Sequence, residues 1–366
     1  MSNYLSLYIH IPFCKSKCPY CDFFSGIGNE EKYDDYCNAL IEKIDYWSSK
    51  TDKSIETIYF GGGTPSVIGA KRLTDILSAI KNKFAVSKNA EITVEINPDT
   101  GKSIDFSKLK QCGFNRISVG LQSACENELK ALGRIHNTDD VKLTVQRAKN
   151  AGLKNISLDL MMGIPFQSKE SLRESIDFCS ACGVNHISSY ILKIEQGTKF
   201  FEQKDNLILP NEDIQADLYL FATEYLEKLG YRQYEISNFA KVGFESRHNV
   251  NYWKCGEYIG IGPSAHSFFN GKRFYYDRSM EDFKNNVIIS DGTGGSEEEF
   301  IMLSLRLKSG LNFNEYRDKF GKLLPSRFSE DIKKYVKAGF MTVDDEKICF
   351  TPKGFLVSNS IIADLI

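Results

Sequence analysis

Three cysteines, Cys14, Cys18 and Cys21, fall within the eight residues "CKSKCPYC", directly behind the strand-like "SLYIHIPF". Thiols clustered this way hold metal or do redox chemistry, and no fourth cysteine is close by. A structural zinc site of Cys₃His type needs a histidine nearby, and His10 is the local candidate. Its place in the alternation "LYIHI" reads better as a packed neighbour than as a ligand. A cubane iron–sulfur cluster takes four thiolates, so three leave one iron able to accept an exchangeable ligand. Pro19, Tyr20, Phe23 and Phe24 then form an apolar wall limiting solvent access.

Further along lie groups that complete such a site. "YFGGGTPS" (59–66) is a strand running into a triple-glycine turn. It lacks the Lys-Ser/Thr of a P-loop and the G-x-G-x-x-G of a dinucleotide loop, but bares backbone to close approach. "EITVEINP" ends a strand with Glu95, "RISVGLQS" with Gln122, "LGRIHN" carries Arg134, and "SLDLMMGIPFQ" sets Asp159 in an apolar strand. A strand carboxylate among leucines is costly unless partnered. Together these groups complement S-adenosylmethionine: acceptors for its ammonium, an arginine for its carboxylate, amide and carboxylate for its ribose hydroxyls.

The elements positioning them alternate. Strands are expected at 6–11, 57–60, 91–96, 116–121, 155–161 and 186–192, with helices at 33–47, 71–84, 138–152 and 169–183 between them. Thr138 reads as an N-cap, and Gly152 and Gly183 fall where helices end. Six β–α units imply parallel strands with crossover helices, short of a closed eight-unit barrel. The fold expected is therefore α/β, a partial (β/α)₆ barrel over 1–195, with these side chains at one end of the sheet. An extension over 196–290 follows, with a helix at 211–230 and then irregular, aromatic-rich sequence. The polar, glycine-rich "SDGTGGSEEEF" (290–300) reads as a linker. Residues 291–366 read as two or three helices and a hairpin turned at Asp344-Asp345, a small winged-helix-like domain without a basic excess.

A net charge of -2 gives no reason to expect a nucleic acid or anionic membrane as main partner. No run approaches the roughly 20 apolar residues of a membrane span, and no signal peptide opens the chain. The expected location is cytoplasmic, where clustered cysteines serve metal sites rather than disulfides. Cys179-Ser-Ala-Cys182 has redox spacing but sits late in a helix, which makes it structural. His136 reads as a structural neighbour of Arg134, and His266 as a packed residue or part of a cavity floor.

The ordered set "CKSKCPYC", "GGGTPS", "EINP", "VGLQS", "GRIHN" and "DLMMGIPFQ" resembles the radical SAM superfamily. More narrowly it is similar to the oxygen-independent coproporphyrinogen III oxidase-like proteins and their haem-chaperone branch, over essentially the whole chain. The resemblance implies a [4Fe–4S] cluster on Cys14, Cys18 and Cys21, with S-adenosylmethionine (SAM) on the free iron. It implies that Tyr8, Gly62, Gly63 and Thr64 line the methionine end, that Glu95 and Arg134 hold the amino-acid group, and that Gln122 and Asp159 hold the ribose.

Against the oxidase, Phe23 stands where that enzyme has a fourth cysteine, and its long segment before the cysteines has no counterpart here. "SRHNVNYWKC" (246–255) matches the H-N-x-x-Y-W signature that the chaperone branch associates with haem. His248 is a candidate iron ligand, Tyr252 and Trp253 candidate covers for the macrocycle, and Arg247 a partner for a propionate. The competing reading is an aromatic-rich turn packing the extension onto the barrel. The function implied is transfer of haem to an unidentified acceptor protein, including peripheral contact with a membrane-bound one. Radical chemistry on a tetrapyrrole is the alternative, with coproporphyrinogen oxidation disfavoured.

Overall fold

The structure, a computed structural model, describes residues 3–366, apart from the side chains of 326, 327 and 329. Strands β1 (Tyr4–Ile11), β2 (Ser54–Gly62), β3 (Val86–Ile96), β4 (Arg116–Gln122), β5 (Asn155–Met162) and β6 (His186–Ile191) lie side by side in chain order. All five pairings between them are parallel, as six β–α units require. Helices Glu30–Ser48, Gly69–Lys83, Thr138–Asn150 and Lys169–Ala181 form crossovers on the outside.

The period of two sorts each strand. Leu5, Leu7, Ile9 and Ile11 of β1, Ile92, Val94 and Ile96 of β3, and Ile156, Leu158 and Leu160 of β5 are buried in the hydrophobic core. The alternate residues face the lumen and are polar: Ser6, Tyr8 and His10; Thr57 and Tyr59; Glu91, Thr93 and Glu95; Arg116 and Ser118; Ser157 and Asp159; His186 and Ser188. Registers such as Tyr8↔Tyr59, Thr93↔Arg116 and Asp159↔Ser188 stack them in layers.

The sheet continues past both ends. β8 (Asn238–Ala240) and β7 (Arg232–Glu235) follow β6 antiparallel, while β9 (Tyr258–Ile261) pairs parallel with β1. β10 (His266–Phe269), β11 (Lys272–Tyr276) and β12 (Ile288–Thr293) extend that edge to twelve strands. The stretch expected to be irregular thus carries five short strands and a helix. Its strands are three to five residues long and broken by glycine and tight turns, too short for a period of two to emerge. The expected linker also differs: 288–293 pairs with β11, and 297–304 is helical. Gly294 is packed so closely on Phe268 and Arg273 that a Cβ would meet the Phe268 ring at 2.8 Å.

Helix caps follow local chemistry. Asn137, not Thr138, caps the helix Thr138–Asn150, forming a capping box with Asp140. Gly152 and Gly183 end their helices in the left-handed region. At the C-terminus, helices Glu297–Ser304, Phe313–Phe320 and Ser326–Lys337 accompany a small sheet of β13 (Leu311–Asn312), β14 (Met341–Val343) and β15 (Lys347–Phe350), with β13 between the first two helices. Asp344 makes the hairpin turn, its carboxylate accepting from the amides of Glu346 and Lys347. This unit joins the barrel where the Lys308 amide donates to the Tyr234 carbonyl and the Ile236 amide to the Arg306 carbonyl.

Candidate functional site

The cysteine loop leaves β1 and is closed at its base. The Cys14 amide donates to the Gly26 carbonyl (2.9 Å), and the Gly26 amide to that of Pro12 (3.0 Å). His10 anchors it from below: Nε2 donates to the Phe24 carbonyl (2.9 Å) and Nδ1 accepts from the Tyr8 hydroxyl (3.1 Å). Burial lowers this imidazole to about 4, so it is a neutral support with both nitrogens committed. The ion pair of Arg278 with Asp22 (2.9 Å) ties the outer side of the loop to the segment after β11.

Against this loop sits the triple-glycine turn. The Gly63 amide donates to Ile11 and the Thr64 amide to Phe13, 2.9 and 2.7 Å from the carbonyl oxygens. A Cβ on Gly63 would lie 2.6 Å from the Phe13 carbonyl oxygen, and one on Gly62, whose φ is +110°, 2.6 Å from the His10 ring. The bare backbone thus lets the turn dock onto the cysteine loop. Gly63→Ala, facing backbone that cannot give way, should cost about 1–3 kcal/mol, seen as a lower denaturant midpoint.

A cavity of about 150 Å³ at this end of the sheet is lined by Cys14, Cys18 and Cys21 together with Gly62, Gly63, Thr64, Glu95, Gln122, Arg134 and Asp159. Residues up to 145 positions apart are therefore neighbours, and every residue expected at the cluster and SAM site except Tyr8 is on its wall. Tyr8 lies a layer below, bonded to His10 and stacked on Tyr59 at 6.3 Å. Thr64 Oγ1 donates to Cys14 Sγ and Arg134 Nη1 to Cys18 Sγ, each at 3.5 Å. Arg134 is fixed by the Gly120 carbonyl (3.0 Å), and His136 by that of Leu121. Gln122 takes φ +69°, and its Oε1 accepts from Tyr190. Among the described residues no three His, Cys, Asp or Glu side chains converge closely enough to hold a single metal ion. The donor set suits a cluster: three unbridged thiols around one cavity, two already bonded through sulfur.

Both carboxylates are buried and resist ionisation. Burial raises Glu95 to about 8, against the hydrogen bond from the Tyr59 hydroxyl (2.8 Å). Asp159 is raised chiefly by burial, opposed by hydroxyls of Ser188, Ser118 and Ser157. These serines are its partners, one strand away or two residues away on the same face. Arg116 is 2% exposed, and its Nε has no partner among the described residues. Its charge favours ionised Glu95 and Asp159 and lowers His186 and His248. Neither Arg116 nor Tyr59 stood out in the sequence, although both fall on the polar side of their strands' alternation.

A wider mouth cavity of about 570 Å³ adjoins, sharing Cys21, Phe23, Glu95 and Asp159 and adding Asn249, Ser264 and Arg278. Phe23 and Tyr20 line the thiol cavity as expected, Phe23 exposed at its rim and Tyr20 packed on Phe200. His266 is exposed, stacked on Tyr275, and does not form a cavity floor. Cys179 is fully buried and Cys182 partly, with both thiols raised by burial.

The H-N-x-x-Y-W segment forms the helix Arg247–Trp253, which plugs the lower end of the lumen. Ser246 caps it, and the Glu91 carboxylate accepts from the amides of Arg247 and His248, both at 3.1 Å. His248 is buried, with Nδ1 2.7 Å from Thr57 Oγ1 and Nε2 2.8 Å from the Tyr252 hydroxyl. Its ring stacks on Tyr59 at 5.1 Å, and burial lowers its pKa to about 3. Tyr59 therefore touches both Glu95 and His248. Trp253 faces away from Tyr252, beneath the Arg306 guanidinium, and Arg247 is paired with Glu56. The structure thus does not bring His248, Tyr252, Trp253 and Arg247 onto one open surface.

A barrel of six parallel strands with three loop cysteines after the first defines the class of radical SAM proteins, and the superfamily profile matches residues 8–179. That superfamily implies a [4Fe–4S] cluster and SAM. The HemN C-terminal domain profile matches residues 298–357. The Bacillus subtilis protein named heme chaperone HemW is 34% identical over 97% of both chains. Its Lactococcus lactis namesake is 35% identical over 97% of this chain and 96% of its own. The chain belongs to the HemW family. The fold is that of the coproporphyrinogen III oxidase HemN from Escherichia coli, with a TM-score of 0.83, 21% identity, and 98% of this chain and 89% of that one covered. Among the described residues no helix is long and apolar enough to cross a membrane.

Proposed function

We propose that the protein is a cytoplasmic haem chaperone that holds a [4Fe–4S] cluster on Cys14, Cys18 and Cys21, binds SAM beside it, and passes haem to an acceptor protein. The observation that carries this reading is that one barrel holds both the three-thiol cavity and the H-N-x-x-Y-W helix, joined through Tyr59. The cluster, when bound, supplies an iron position for SAM. Arg134 and Glu95 orient the charged ends of the amino-acid group, Gln122 and Asp159 the ribose, with Gly62, Gly63 and Thr64 at the methionine end and Tyr8 steadying them through His10. The units proposed are the barrel (1–195), the extension (196–290) and the small C-terminal domain (291–366). Phe23, in place of a fourth cysteine, weighs against coproporphyrinogen oxidation.

Anaerobically reconstituted protein given SAM, a reductant and coproporphyrinogen III should form no porphyrin, and given haem should develop a Soret band. Porphyrin formation without haem uptake would reverse the assignment. For His248 to ligate iron it must release Tyr252 or Thr57. His248→Ala should therefore shift or remove the Soret band, with Tyr252 and Trp253 contributing as aromatic neighbours. A band identical to that of the unaltered protein removes His248 as a ligand.

A further inference from the structure

At the end of the barrel away from the thiols lies a cleft of about 1060 Å³, bounded by the strand starts, the plug helix and the C-terminal unit. Pockets for organic ligands run to about 300–1,000 Å³, so it has room for a macrocycle. Tyr4, Val250 and Leu307 supply apolar surface.

The charges decide what it would take. Arg247 is committed to Glu56 and Lys254 to Glu315, and Glu91 caps the plug helix with both oxygens. Arg232, Lys308 and Lys347, from three separate segments, have no ion pair among the described residues. Glu245 is the one lining carboxylate left to set against them. The mouth cavity is the reverse. Its cations are spent, Lys193 on Glu195 (2.7 Å) and Arg278 on Asp22, while Glu95 and Asp159 face into it. An amphipathic dianion finds no unpaired cation at the mouth and three at the cleft.

We infer that this cleft seats a tetrapyrrole dicarboxylate, presenting Arg232, Lys308 and Lys347 to its propionates and Tyr4, Val250 and Leu307 to its ring. The inference deepens the haem-chaperone reading and rests on it. It places haem and SAM on opposite sides of the plug helix. Thr57, which holds His248 Nδ1, is itself in the cleft wall, so that imidazole lies one residue behind the surface.

The test is a haem titration of the cluster-reconstituted full chain, followed at the Soret band. The variants are Lys308→Glu with Lys347→Glu, Arg232→Glu, and Lys193→Glu at the mouth, and haem dimethyl ester serves as a second probe. The double variant should bind haem at least tenfold more weakly, while its SAM affinity and cluster absorbance stay unchanged. Lys193→Glu should leave haem affinity as it was, and the ester should bind the unaltered and double-variant proteins alike. Equal haem affinity in the double variant, or an equal loss in Lys193→Glu, overturns the cleft assignment alone. Absence of haem binding by the unaltered protein overturns the chaperone reading beneath it.

Discussion

Replacing any one of Cys14, Cys18 and Cys21 by alanine should abolish the visible absorbance of the reconstituted protein and take its iron from about four per chain to near none. The three are not interchangeable with the other seven cysteines. They alone line the cavity that also holds Arg134, Gln122 and Asp159, and two of their sulfurs already accept hydrogen bonds. Two remaining thiols leave two irons without a protein donor, so the loss should be near complete in each variant. Cys179→Ala is the control. Its thiol is sealed in the core, and the substitution should leave iron content intact. Iron retained in a single Cys14, Cys18 or Cys21 variant, or zinc found in place of iron, would remove the cluster assignment.

Much of the barrel was legible because each strand, read alone, has four or more alternating residues and each crossover helix a clear apolar stripe. Glu95, Gln122, Arg134 and Asp159 stood out because each ends or interrupts an apolar run. Why a buried Asp159 is tolerated was not legible: its serine partners are unremarkable residues until strand register sets them alongside. Arg116 illustrates the same limit. An arginine opening a strand reads as a solvated end, yet the plug helix, 130 residues later, closes that end and puts its charge in the lumen. The Arg278–Asp22 latch joins residues 256 apart and leaves no local signal.

The H-N-x-x-Y-W segment shows where spacing misleads. An i, i+4 pair does place His248 and Tyr252 on one face, but that face turns into the lumen, where the two bond each other. The helix amides, Thr57 and Tyr59 hold it there, and all of these contacts come from β2 and β3. The motif is therefore part of the barrel's interior as well as a candidate haem segment. Tyr59 stacks on His248 and bonds Glu95, so the helix and the carboxylate share one side chain.

SAM affinity should rise nearly tenfold from pH 6 to pH 7 and more gently toward pH 8, because Glu95 must lose a proton to receive the ammonium. Burial holds this carboxyl near 8, so at pH 6 about one molecule in a hundred carries the carboxylate that pairs with the ligand. The free protein binds more protons than the complex below pH 8, so affinity increases as pH increases and binding releases a proton. The ligand's own amine, with an ordinary value of about 7.7–8.0, is half neutral by about pH 8, so affinity should peak there. Glu95→Gln should weaken binding by roughly 10- to 100-fold at pH 8, from a charged hydrogen bond of about 1.5–3 kcal/mol, and should flatten the acid limb. Tyr59→Phe removes a hydrogen bond that favours the carboxylate, so the acid limb should move to higher pH while the ring still stacks on His248. Calorimetric titrations in buffers of different ionisation enthalpy measure the released proton directly. An acid limb that persists in Glu95→Gln would assign the ammonium to another acceptor.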